Sequence, residues 1–277
     1  MSKLTQGLSG IGLGAVMAVV LTAVLVLAGC TTATGPAAMR EGAEQAMSER
    51  TPMNESQRRA KVHAELGSLY LVDGRPAVAL EEARIALAAD ANYAPAYSLL
   101  GLIHMGLNEP RLAEENFNKA LQLAPRDPEI SNNFGWFLCQ TNREKQSIDY
   151  FMAAARNPLY STPVKPYTNA GICAFRLKDD KAAESYLLEA LRVSPGNTQA
   201  MYWLGELTYR QGRYQEARQW VAEIDKIEEP TAEKTWLALR VERKLGNREA
   251  EARLAADLRK RFGTSSEYRL LAQGKYE

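Results

Sequence analysis

Residues 94–127 read APAYSLLGLIHMGLNEPRLAEENFNKALQLAPRD, and this stretch decides the fold. Gly106 to Asn108 is a turn signal in its middle, and Pro125 stops whatever helix precedes it. Gly101, Ala113 and Ala120 are small residues at fixed offsets, with the large Phe117 one turn after Ala113. The same offsets recur on both sides. Leu66-Gly67, Leu100-Gly101, Phe134-Gly135, Ala170-Gly171 and Leu204-Gly205 follow one another every 34 residues, with one step of 36. Twelve residues after each glycine stands Ala79, Ala113, Ser147, Ala183 or Ala217. Seven further on stand Ala86, Ala120, Ala154, Ala190 and, breaking the rule, Ile224.

Such a repeat is a pair of antiparallel helices. Two helices approach closely only where their side chains are small, and a large residue one turn later fills the space beneath the next pair. The period and pattern resemble the tetratricopeptide repeat. That resemblance implies an all-α superhelix of about six helix-turn-helix units, which need one another to bury their apolar faces. The units are drawn at 60–93, 94–127, 128–161, 164–197 and 198–231, within a repeat domain spanning 59–262. A degenerate sixth pair at 232–262, its small-residue register slipped, is expected to cap the stack; a tail follows at 263–277. The two extra residues fall near Pro158 to Pro166, a loop that is either a neutral insertion or a functional one, changing the superhelix angle locally or serving as a docking edge.

The amino-terminal end is of another kind. Between Lys3 and Arg40 there is no charge, and Ile11 to Ala28 is a nearly continuous apolar run. It ends in Leu27-Ala28-Gly29-Cys30, which resembles the lipobox of bacterial lipoprotein precursors. The resemblance implies a signal peptide at 1–29, cleaved before a triacylated Cys30. One myristoyl chain binds membranes at only about 10⁴ M⁻¹, so three chains imply lasting attachment. Thr31 stands where an Asp would retain such a protein at the inner membrane, implying the periplasmic face of the outer membrane. Residues 30–58 lack a sustained apolar period and read as a flexible tether.

Lipobox, tether and repeats together resemble the PilF/PilW family of type IV pilus biogenesis lipoproteins, as do the segments NNFGWFLCQ (132–140) and NAGICAFR (169–176). The resemblance implies a non-enzymatic pilotin whose partner is the type IV pilus secretin subunit. A general periplasmic scaffold for envelope or cell-wall assembly enzymes is the alternative, since fold does not fix function. With Cys30 lipidated in an oxidising compartment, Cys139 and Cys173 are each other's remaining partners, and a disulfide between them is expected, two buried free thiols being the alternative.

The first helices of such a stack line its concave surface. Leu71, Val72, Leu102, Met105, Asn132, Trp136, Gln140, Phe175, Arg176, Tyr202, Glu206, Tyr209 and Arg210 fall at the slots expected there, and suit an apolar peptide or helix. Without residues 1–29, 33 basic face 33 acidic residues, which gives no bulk electrostatic case for nucleic acid. His63 and His104 read as packing or surface residues, and no HExxH, P-loop or nucleophile-elbow pattern occurs. No enzyme activity, metal, cofactor or small-molecule substrate is expected.

Overall fold

The computed structural model describes residues 43–276, an all-helical stack. Cys30, the apolar leader and the first part of the tether lie outside the described residues. Among those described, no helix is long and apolar enough to cross a membrane.

Six helical hairpins follow in order: α1 (Glu55–Val72) with α2 (Pro76–Ala89), α3 (Ala94–Gly106) with α4 (Pro110–Leu123), α5 (Pro128–Gln140) with α6 (Glu144–Ala155), α7 (Val164–Arg176) with α8 (Asp180–Val193), α9 (Thr198–Arg210) with α10 (Tyr214–Asp225), and α11 (Ala232–Lys244) with α12 (Arg248–Arg261). A short α13 (Ser266–Ala272) closes the chain. Each hairpin turns through one residue at positive φ: Gly74, Asn108, Asn142, Lys178, Gly212 and Gly246. Glycine and asparagine tolerate that conformation, and Lys178 is the one long side chain forced into it. The sixth unit therefore keeps the period at its turn. What it loses is the glycine slot, occupied by the buried Leu239.

Pro76, Pro110 and Pro128 open helices at positions where no backbone donor is missed. Asp127, Asp179, Asn197, Thr231 and Asn247 cap helices by accepting from a backbone N–H three residues on. Close packing explains the repeated glycines. A Cβ on Gly101 would sit 2.8 Å from the Phe117 ring, and one on Gly171 would sit 2.5 Å from Leu187 Cγ. The core is accordingly a row of small clusters between units. Phe117 with Phe134 and Phe137, Phe151 with Cys139 and Cys173, and Leu187 with Leu204 and Leu207 are all buried.

Residues 43–54 depart from the tether reading. They form a strap, with a 3-10 turn at Met47–Glu49, laid along the edge where units join. The Met47 N–H donates to Asp127 Oδ2 (2.6 Å), Asn157 Nδ2 donates to the Glu44 carbonyl (2.8 Å), and Lys61 Nζ donates to the Arg50 carbonyl (3.1 Å). The Met47 side chain lies between the first two inter-unit clusters, and Ala46 is fully buried. These are contacts with distant residues, which no local pattern announces. The loop at residues 156–163 receives the strap as well: the Ser161 hydroxyl donates to Glu49. The first helix also begins at Glu55, ahead of the drawn boundary, because Asn54 caps it by accepting from the Gln57 N–H (2.9 Å).

Asp127 serves two masters: Oδ1 caps α5 through the Ile130 N–H (3.0 Å), while Oδ2 holds the strap. Burial pushes its carboxyl up, against the pull of those backbone donors. Asp127→Asn keeps a capping oxygen but turns an amide donor toward the Met47 N–H. Losing one buried bond should speed tryptic cleavage after Arg50 about tenfold with little change in melting. An unchanged cleavage rate at Arg50 would mean the strap is held by something else.

Candidate partner-binding groove

The first helices of the hairpins lie side by side and form one face. Three depressions of 450, 360 and 330 Å³ follow along it. Leu71, Val72 and Leu102 line the first with Leu99, Ser98 and Asn133; Met105, Trp136 and Gln140 line the second; Tyr202 and Trp203 line the third with Lys234. Most of these apolar side chains are half-buried, so they floor the face rather than project from it, and Val72 alone stands nearly bare at 89% exposure.

The polar members of the expected set have structural partners. Asn132 is buried and accepts from Asn169 Nδ2 (3.0 Å), so it belongs to the packing and not to the accessible surface. It is one rung of a ladder in which Asn133 Nδ2 donates to Ser98 Oγ (3.2 Å) and Asn197 Nδ2 donates to Thr168 Oγ1 (3.1 Å). Each rung satisfies polar groups between neighbouring units and so fixes their register. Arg176 Nη1 donates to Gln140 Oε1 (3.0 Å). Arg210 Nη1 donates to the Phe175 carbonyl (2.9 Å), its guanidinium lies 3.6 Å from the Phe175 ring centroid, and it pairs with Asp180. These exposed heads tie the rim of one unit to the next. The Tyr202 hydroxyl donates to Glu206 Oε1 (3.1 Å), and Glu206 pairs with the largely buried Arg240. Burial, and then the charge on Glu206, push the Tyr202 hydroxyl far up, so it stays a neutral donor. Tyr209 carries Arg240 over its ring at 4.8 Å.

Trp203 was not among the expected residues. Its ring meets Phe175 edge-on at 5.2 Å between centroids and Tyr202 at 5.6 Å, making the densest aromatic patch of the groove. It occupies the sixth slot of its unit, as do Leu99, Asn133 and Asn169. The signal was present: Leu99, Asn133 and Trp203 all line the depressions.

The structure bonds Cys139 of α5 to Cys173 of α7 with Cα atoms 5.9 Å apart. Both are fully buried beside Phe151 and Ala170. His63 Nδ1 lies 2.6 Å from Glu82 Oε2, and His104 Nδ1 lies 2.6 Å from Glu109 Oε2. Several glutamates are likewise engaged: Glu114 with Arg143, Glu115 with Arg111, Glu228 with Lys234. Among the described residues no group of three or more His, Cys, Asp or Glu is placed to hold a metal.

The tetratricopeptide repeat model matches residues 94–127 and 169–230. The solved structure of PilW, described as a widely conserved type IV pilus biogenesis factor, superposes with a TM-score of 0.70 at 28% identity, covering 77% of this chain and 98% of that one. The chain is a PilF/PilW-like tetratricopeptide-repeat protein. In sequence, the type IV pilus assembly protein PilF of Pseudomonas aeruginosa is 26% identical over 206 residues, 74% of this chain and 82% of that protein. The solved structure of Pseudomonas aeruginosa PilF shares the fold, with a TM-score of 0.68 at 24% identity over 80% of this chain and all of that one. Tetratricopeptide-repeat proteins are typically scaffolds that mediate contacts between proteins.

Proposed function

We propose that this chain acts in type IV pilus biogenesis as an outer-membrane pilotin, binding the secretin subunit and promoting its outer-membrane localisation and multimerisation. The observation that carries the reading is the likeness to PilW and PilF over about three-quarters of the chain, in a stack whose first-helix face is floored by apolar side chains at three depressions. Leu71, Leu102, Met105, Trp136, Phe175, Trp203 and Tyr209 give that floor enough width for an apolar segment or an amphipathic helix. The ladder and rim bonds hold the units in fixed register, so the face is preorganised and little ordering cost falls on binding.

The mechanism joins two halves. Three acyl chains at Cys30 hold the chain in the outer membrane, and the groove holds a secretin segment. Linking them raises the local concentration of secretin subunits at the bilayer where they assemble. No step of bond making is involved.

Deleting the gene should remove detergent-resistant secretin multimers from the outer membrane, and Cys30→Ser should shift the chain out of the outer-membrane fraction. Trp136→Ala with Trp203→Ala should lower multimer yield while leaving the chain anchored. Wild-type multimers in the deletion strain would reject the pilotin role; a Cys30→Ser chain still sedimenting with outer membrane would reject the anchor.

A further inference from the structure

In units 2 to 5, two slots of the first helix are buried against the preceding unit. One holds Ala96, Ile130, Pro166 and Ala200; the other holds Ile103, Phe137, Cys173 and Leu207, seven residues later. Ile103 packs on Ala79 and Ala83, Phe137 on Ala113 and Phe117, and Leu207 on Ala183 and Leu187. In unit 1 the same slots hold Val62 and Leu69, which are 53% and 67% exposed. A terminal repeat ordinarily meets solvent with a polar outer face. Here it keeps the apolar residues of an internal one.

The other end of the stack is closed differently. Phe262, Tyr268, Leu270 and Leu271 pack over Trp236, Leu239 and Leu258, and Tyr276 stacks on Trp236 at 5.6 Å with Arg243 4.0 Å from its ring centroid. This cap blocks head-to-tail stacking, in which one copy's last hairpin would cover another's first. What remains is head-to-head contact about a twofold axis, which needs a self-complementary surface.

The α1 stripe has that property. Arg58, Val62, Leu66, Leu69 and Asp73 recur at spacings of four, four, three and four, on one side of the helix. Set two such helices antiparallel about the point midway between Glu65 and Leu66. Val62 then faces Leu69 of the other copy, twice over, and Arg58 faces Asp73, also twice. Both charged residues are exposed; Arg58 has only an exposed partner, Glu55 at 3.5 Å, of the kind that contributes little.

We propose that α1 is a homodimer surface, its occupant a second copy of this chain bound antiparallel through Val62 and Leu69 and locked in register by Arg58 and Asp73. One helix stripe is smaller than the roughly 800 Å² per partner of a standard interface, so the pairing is reversible and gains from confinement on a common surface. The inference does not depend on the pilotin reading, since the groove and the α1 stripe are separate surfaces.

The test uses two full-length versions carrying different tags, Val62→Cys and Leu69→Cys, co-expressed, purified in detergent and oxidised with copper phenanthroline. The mixed dimer should dominate both like-with-like dimers, because the antiparallel register leaves two Val62 positions about 10 Å apart along the helices. Adding Arg58→Asp to both should reduce the mixed dimer about tenfold, and adding Asp73→Arg as well should restore it. A statistical mixture of dimers, cross-linking to a different protein, or no rescue by the charge exchange would each overturn the proposal.

Discussion

Phe117→Ala should destabilise the chain by about 3–5 kcal/mol, the range for emptying a buried aromatic site. Phe117 is fully buried, with ring centroids 5.8 Å from Phe134 and 5.5 Å from Phe137. It lies against Gly101 so closely that a single added methyl would meet the ring at 2.8 Å. The site cannot collapse readily, because its walls are helices α3, α4 and α5 fixed by their own hairpins and by the Asn133–Ser98 rung. For a chain of this size each kcal/mol is about 2–4 °C, so the melting midpoint should fall by roughly 6–20 °C. Each unit touches mainly its neighbours, so the loss is concentrated at the junction of units 2 and 3 and can divide one transition into two. Phe175→Ala is the control: its ring is partly exposed, and the stacked Arg210 is worth about 1 kcal/mol. Thermal and urea melts of both variants check this; a Phe117→Ala midpoint within 2 °C of wild type would contradict the packing argument.

Removing the bond between Cys139 and Cys173 should cost about 3–4 kcal/mol, as expected for a crosslink closing a loop of 34 residues. The effect acts largely on the unfolded chain, which gains freedom once the loop opens, while the folded α5–α7 contact stays much as it was. Cys139→Ala with Cys173→Ala is the suitable variant, because serine would place two hydroxyls among Phe151, Ala170 and Trp136. Unfolding of the wild type under reducing conditions should move by a similar amount. Equal denaturation midpoints for the double variant and the oxidised wild type would show that the crosslink adds nothing. Non-reducing mass spectrometry establishes the bonded state beforehand.

Particular residues show how far the sequence could be read. The spacing of Gly67, Gly101, Gly135, Gly171 and Gly205 places the first helices of five units, because a crossing of two helices tolerates only small residues at fixed intervals. Phe117, Phe151 and Leu187 could be assigned to the core from the same phase. Asn132 could not be assigned to it. Its slot is that of a groove residue, and only the Asn169 amide facing it from α7 draws it inside. Trp203 stands in the sixth slot of its unit, one past the slot of Asn132 and Tyr202 from which the groove is read, and the spacing alone does not point to it.

Periodicity alone determined the class of fold, the number of hairpins and the face from which a groove is made, since these follow from local spacing that each unit repeats. The strap could not be foreseen, because residues 43–54 have no period, and Met47, Asn157 and Asp127 are far apart in the chain. Nor could the bareness of Val62 and Leu69 be read from residue type: the same kinds of side chain at the same slots are buried in the next four units. Burial there depends on a neighbour, and only the assembled stack decides which helix has one.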